Sequence, residues 1–353
     1  MDTDAAFLLQ PHVDALLQQG RRSRCMVSSP EEFQAWQQRA RSFLRQVLGI
    51  DQHQPVPVRA TPLSEVARDG YSEQRWQLDI DEGVAVNVYL LRPEQGGEEA
   101  PVLVMHGHHP NVQYCIGNFP DEEAKERQLT KDGNYAQALA QQGHLVCAIE
   151  QRGFGARISE GRGQDWEKPW TDRHLFLHYL HQGRCLQGER VWDAMRVLDW
   201  FLGLDGIHRE ALTCTGNSGG GTTTLYLAAL DDRVKVAVPA SAFSSYEASL
   251  LSKHFSHCLC NYVPGLGQEL DSGDVAAMIA PRSLCIVNGE EDPIFPIEAA
   301  REQFETVQGA YDACDAPDAC RFAIQPGGHR YHVAVCVDWL NSLGIRPYAS
   351  NVE

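Results

Sequence analysis

The chain has 353 residues, with 30 Lys+Arg against 47 Asp+Glu and a formal charge of −17. Charge of that sign repels phosphate backbones and anionic lipid surfaces, which argues against nucleic acid or membrane binding as the main role. With 43% hydrophobic and 22% charged residues there is material for a large core, which excludes global disorder, and no apolar run reaches the roughly 18 residues that cross a bilayer.

Met1–Leu17 carries three Asp and no Lys or Arg, the opposite of the basic start of a signal peptide. Eleven cysteines are scattered from Cys25 to Cys336, and Cys147, Cys214 and Cys285 fall inside apolar runs, where a thiol behaves as a small buried hydrophobe. These features predict a reducing, cytoplasmic setting.

In chain order, the first predicted element is a helix. Ser29-Pro30-Glu31-Glu32 offers an N-cap serine, proline at the first helical position and a glutamate three residues on, the capping-box pattern. Phe33, Trp36, Ala40, Phe43 and Val47 recur at helical spacing up to Gly49, a packing stripe with a stop signal. Pro55 to Pro62 reads as a connector. From about residue 74 the pattern alternates. Arg75–Ile80 and Val84–Leu90, separated by Asp81-Glu82-Gly83, predict an antiparallel hairpin.

Six buried apolar runs follow: Val102–Met105, Leu145–Ile149, Leu212–Thr215, Val234–Val238, Leu284–Val287 and Phe322–Ile324. Helical patterns lie between them, such as the stripe of Val191, Met195, Leu198 and Leu202. Strand, helix and strand in repetition predict an α/β fold with a mostly parallel central sheet and helices on both faces. Ligands bind such sheets at the carboxyl ends of the strands. The residues just after each run therefore matter most, and the long connections at about 108–131, 151–185 and 240–280 read as pocket walls or cap-like insertions.

After Thr213-Cys214-Thr215 comes Gly216-Asn217-Ser218-Gly219-Gly220 and then a helical stretch. Gly-x-Ser-x-Gly between a strand and a helix is the nucleophile-elbow pattern, in which a strained turn exposes the serine and small neighbours avoid clashes. A serine nucleophile needs a base, and the base an orienting acid. Asn288-Gly289-Glu290-Glu291-Asp292-Pro293 follows the fifth run and Gln325-Pro326-Gly327-Gly328-His329 the sixth. Ser218, Asp292 and His329 are thus the predicted catalytic residues, with His332 an alternative base and Glu290 or Glu291 alternative acids. Backbone amides of His108, after the first run, and of Gly219 are the predicted oxyanion donors.

The set His106-Gly107, Glu150-Gln151-Arg152-Gly153-Phe154-Gly155, Gly216-Asn217-Ser218-Gly219-Gly220, Asn288 to Pro296 and Gly328-His329 resembles the acetyl xylan esterase-like branch of the α/β-hydrolase superfamily, near the dienelactone hydrolases. The likeness spans about residues 75–345. It implies an α/β-hydrolase fold and a cofactor-free serine esterase, with deacetylation of sugars as the commonest activity; the long Trp- and Tyr-rich connections suggest a walled pocket, which with the cytoplasmic reading predicts short acyl, acetyl-type esters of small molecules or oligosaccharides. Residues 1–60 are expected to form an N-terminal helical extension and 61–353 the catalytic domain, with a cap-like insertion at about 240–280. Phe154, Trp170 and Tyr262 are the expected substrate contacts, with Tyr114, Trp166 and Tyr246 as further pocket aromatics.

No metal is expected. His106, His108 and His109 lack a nearby carboxylate at ligand spacing, and His254, His257, Cys258 and Cys260 make only half of a zinc site. The alternatives are a peptidase of the prolyl-oligopeptidase type and a non-catalytic binding protein on the same fold. Self-association stays open.

Overall fold

The structure, a computed structural model, describes residues 24–94, 100–158, 172–251 and 257–345, together with His12, Ala15 and Leu16. Helix α1 (Pro30–Leu48) starts as its sequence dictates: the Ser29 side chain accepts from the Glu32 amide, and Gly49 closes the helix in the left-handed region at φ 72°. The Glu32 carboxylate, however, accepts from the Ser28 amide at 2.9 Å and the Ser28 hydroxyl at 2.8 Å, one residue earlier than a capping box requires. The buried stripe is Phe33, Trp36, Ala40, Leu44 and Leu48; Phe43 and Val47 flank it half-buried.

The sheet has nine strands. In chain order they are β1 (Arg59–Ala67), β2 (Tyr71–Asp81), β3 (Val84–Pro93), β4 (Pro101–Met105), β5 (Leu145–Ile149), β6 (Thr213–Asn217), β7 (Val236–Ala240), β8 (Ser283–Gly289) and β9 (Cys320–Gln325). Their spatial order is β1-β2-β3-β5-β4-β6-β7-β8-β9. The first three pair antiparallel, β3 meets β5 antiparallel, and all later pairings are parallel. The expected hairpin is β2–β3, with Leu78 opposite Val86. One strand was not expected: the connector over Pro55–Pro62 gives way to β1 at Arg59. It is an exposed edge strand, and Pro62 adjoins a break in register between Pro62 and Ser64. An edge or a bulge tolerates the missing proline amide, and a strand facing water on both sides carries no alternating apolar signal.

The helices after α1 are α2 (Glu122–Leu129), α3 (Tyr135–Gln141), α4 (Arg173–His181), α5 (Leu186–Phe201), α6 (Gly219–Leu230), α7 (Tyr246–Leu250), α8 (Ser272–Ala277), α9 (Ile297–Ala313) and α10 (Val333–Ser342). Successive strand residues point to opposite faces, which splits the core in two. Leu103, Met105, Cys147, Cys214 and Ile286 pack with α1, α5, α6, α8 and α9. Val102, Val104, Val146, Val238 and Val287 pack with α3 and α10. Residues 240–280 carry α7 and α8 and send Phe243, Leu266, Leu270 and Val275 into the first core.

The chain leaves β4 for β5 and returns across β4 to β6, so the strand order reverses at β4. In such sheets the crevice at the reversal holds the ligand. The segments after Met105 and Asn217 meet there.

Candidate active site

Ser218 sits between β6 and α6 with φ 56° and ψ −122°, a left-handed conformation that costs a non-glycine residue about 1–3 kcal/mol and persists only where the surroundings enforce it. The enforcement is visible. The Ser218 amide donates to the Ala240 carbonyl at 2.8 Å, and a Cβ built on Gly220 would lie 2.1 Å from the Met105 carbonyl oxygen. Only glycine lets α6 approach β4 this closely.

Residues 107–108 run directly against the elbow. A Cβ on Gly107 would stand 2.9 Å from the Asn217 carbonyl oxygen and 3.4 Å from the Ser218 Cβ, while one on Gly219 would stand 2.8 Å from the His108 ring. The two segments predicted to carry oxyanion donors are therefore in contact around Ser218.

Of the three candidate acids, Asp292 is the one that reaches the histidine. Its Oδ2 lies 2.8 Å from His329 Nδ1, and its Oδ1 accepts from the amides of Ile294 at 2.9 Å and Phe295 at 3.3 Å. Asp292 is buried, whereas Glu290 and Glu291 are exposed. A carboxylate only accepts, so Nδ1 carries the hydrogen and Nε2 is left to take a proton. The loop after β8 and the loop after β9 are bonded to each other, Glu290 N to Gln325 O at 2.8 Å and Glu291 N to Gly327 O at 2.9 Å. The Phe295 ring stacks on His329 at 5.9 Å. His332 precedes α10 and is not among the residues lining the cavity below.

Ser218 and His329 line one cavity of about 300 Å³, walled also by His108, His109, Arg127, Gln128, Lys131, Gly133, Asn217, His257, Cys258 and Ile294. Burial pushes His109 and His257 each down to about 4, so both are neutral near pH 7. Arg127, Gln128 and Lys131 had no signal in the sequence, because a cation or amide at the end of a surface helix or just past it looks like any solvated one.

Behind the cavity lies a second layer. His106 is buried and bridges two segments: its Nδ1 lies 2.7 Å from the Gly107 carbonyl and its Nε2 accepts from the Gln151 amide at 3.1 Å. This pairing fixes the neutral tautomer, and burial pushes its pKa down to about 3. His108 Nε2 lies 3.3 Å from Asp172 and 3.4 Å from Cys260 Sγ, and Arg190 donates to the same Asp172 oxygen at 3.0 Å. Burial alone would raise Asp172, but the bond to His108 and the Arg190 guanidinium outweigh it and hold the carboxyl well below its usual range. Arg152, from the narrow Gln151-Arg152-Gly153-Phe154 motif, pairs with Glu189 and Asp193 on α5.

Of the expected substrate aromatics, those among the described residues do not line this cavity. Phe154 is 2% exposed and wedged between His106, His108 and the Arg190 guanidinium, so it supports the wall from behind. The Tyr262 hydroxyl donates to the Leu250 carbonyl at 2.5 Å, and its ring is not among the lining residues. Tyr114 stacks on His109, and Tyr246 bonds Tyr226 at 3.0 Å. Trp166, Trp170 and His254 lie outside the described residues. The His/Cys cluster is divided: Cys258 and His257 face the cavity, whereas Cys260 joins His108 and Asp172, a trio whose ligand-type atoms lie within 4.8 Å of one another. All eleven cysteines are free thiols.

A family model described as "Abhydrolase family" matches residues 13–332. The "Putative hydrolase YtaP" of Bacillus subtilis (strain 168) is 24% identical over 294 residues, covering 83% of this chain and 93% of that one. Among solved structures, a "putative acetyl xylan esterase (BF1801)" from Bacteroides fragilis NCTC 9343 superposes with a TM-score of 0.79 at 17% identity, over 96% of this chain and 95% of the other. A glucuronoyl esterase from Solibacter usitatus gives 0.62 at 12% identity, over 92% and 96%. Structural likenesses at this identity carry the fold.

Proposed function

As this chain belongs to the Abhydrolase family, we propose that it is a serine hydrolase that cleaves carboxylic esters through an acyl-enzyme. The observation that carries the reading is the 2.8 Å pairing of Asp292 with His329 beside a serine held in the strained elbow. Ser218 Oγ attacks the ester carbonyl while His329 Nε2 takes its proton; His329 then returns that proton to the leaving alcohol. Asp292 holds the imidazole tautomer and stabilises the imidazolium. The amides of His108 and Gly219 face the developing oxyanion, and the N-terminus of α6 adds a favourable dipole. Water, activated by the same histidine, releases the acid.

A cavity of about 300 Å³ is at the small end of ligand pockets. That size favours short acyl, acetyl-type esters of small molecules or oligosaccharides over intact polymers, in a cytoplasmic setting. The acetyl xylan and glucuronoyl esterase names of the structural neighbours favour a carbohydrate ester. Acetate release from acetylated xylo-oligomers should exceed that from the acetylated polymer, and the reverse order would contradict the pocket argument.

The nucleophile is generated by His329, not by a metal-bound water. Ester turnover should therefore survive exhaustive chelation. Loss on chelation with recovery on adding zinc would move the mechanism to the His108, Asp172 and Cys260 trio.

A further inference from the structure

The cavity beside Ser218 runs against the charge of the molecule around it. The chain carries −17, yet the described residues that line this cavity include no Asp or Glu and two cations, Arg127 and Lys131. The lining histidines His109 and His257 are held neutral near pH 7 by burial.

The two cations sit at one end of α2. Arg127 lies in the last turn of α2, and Lys131 follows four residues later, with its amide donating to the Gln128 carbonyl at 3.0 Å. Lys131 lies just past the C-cap Thr130 of that helix. The helix dipole favours cations at that end, and both line the cavity that holds Ser218 and His329.

Two neighbouring carboxylates, Asp132 and Glu123, leave the cations facing the cavity. Asp132 accepts from Arg330 at 3.1 Å and from the Val333 amide at 3.3 Å. Glu123 approaches Arg127 only to 3.8 Å, with both side chains largely exposed. The Lys131 carbonyl accepts from the Tyr331 amide at 3.2 Å, and Asp132 adopts φ 51°. The turn that carries Lys131 is therefore clamped to the loop of His329 itself.

We propose that Arg127 and Lys131 form an anion subsite, so that the preferred ester carries a carboxylate or phosphate group within the cavity's reach of its scissile carbonyl. The proposal rests on the esterase reading above and names the substrate class of that site. Each cation contributes as a partly exposed ion pair would, a factor of roughly two to five in kcat/KM; the net charge of −17 opposes the approach of anions, so the subsite acts at short range.

The test compares acetate release from 4-acetoxybenzoate, 4-acetoxyphenyl phosphate and the neutral 4-acetoxyacetophenone, in the full-length protein and in Arg127→Glu, Lys131→Glu, Lys131→Met and the double charge reversal. The quantity read is the ratio of kcat/KM for each anionic ester to that for the neutral one. Comparing that ratio between proteins cancels the esters' intrinsic reactivities. The ratio should fall roughly three- to tenfold in each reversal and further in the double variant, and the arm that falls more tells carboxylate from phosphate. A ratio unchanged within about twofold in the double variant, with the neutral ester still hydrolysed, overturns the subsite and leaves the esterase reading standing. If no ester is turned over by the unmodified protein, the esterase reading fails instead. Calorimetric binding of benzoate then decides the subsite: weaker binding by the double variant supports it, and equal or undetectable binding overturns it.

Discussion

At the scale of single residues, the proposed machinery is legible in the sequence where chemistry and spacing coincide and opaque where burial decides. Ser218, Asp292 and His329 each follow a predicted strand, so their order alone brought them to one sheet edge. Asp292 stands out among three adjacent acids because a short side chain just before Pro293 turns inward, while Glu290 and Glu291 stay exposed. Asp292→Asn keeps the shape but favours the wrong histidine tautomer, and should lower ester turnover about 10⁴-fold. Glu290→Gln and Glu291→Gln should each cost far less; the opposite ranking in steady-state kinetics would mean that the acid is misassigned. Phe154 was not legible as a supporting residue. An aromatic in a loop motif has the same sequence signature whether it faces substrate or, as here, the Arg190 guanidinium at 5.1 Å.

At the scale of elements, periodicity located the strands, and the missed one, β1, is the strand without a buried face. Contacts between distant elements left a fainter trace. Gly188, inside α5, reads as a weak point in a helix, since glycine costs about 1 kcal/mol against alanine there. Its reason is tertiary: a Cβ on Gly188 would stand 1.7 Å from the Leu48 carbonyl oxygen, so α1 docks onto bare backbone. Gly188→Ala therefore should destabilise, not stabilise, the protein, by about 1–3 kcal/mol through overpacking. Urea unfolding measures it, and an unchanged or raised midpoint would contradict the close docking of α1. The acid and histidine loops, bonded through Glu290, Glu291, Gln325 and Gly327, show why the pairing of β8 with β9 matters for the site: that register sets the distance between Asp292 and His329.

At the scale of the whole molecule, the acidic composition reads as a repulsive exterior, and composition cannot show that the cavity at the serine carries two cations and no carboxylate among its described lining residues. Buried histidines add a second global property. Burial pushes His106 down to about 3 and His144 down to about 4, from an ordinary 6.5. Both are neutral in the folded chain over a range where the unfolded chain binds protons. Their stabilising effect is therefore complete above about pH 6.5 and is lost as the pH falls towards 4 and 3, about 2 kcal/mol for each histidine between pH 7 and pH 5. Urea midpoints at those two pH values should differ less in His144→Leu than in the unmodified protein; an identical pH dependence would contradict the assignment.

The central claim, that Ser218 is the nucleophile of an acyl-transfer site, is tested most directly by a fluorophosphonate probe and mass spectrometry. The account predicts one adduct per chain, located on Ser218, with parallel loss of ester turnover, and no adduct in a folded Ser218→Ala protein whose turnover has fallen on the order of 10⁶-fold. An unlabelled Ser218 in a protein that still hydrolyses esters, or near-normal turnover by Ser218→Ala, would contradict it.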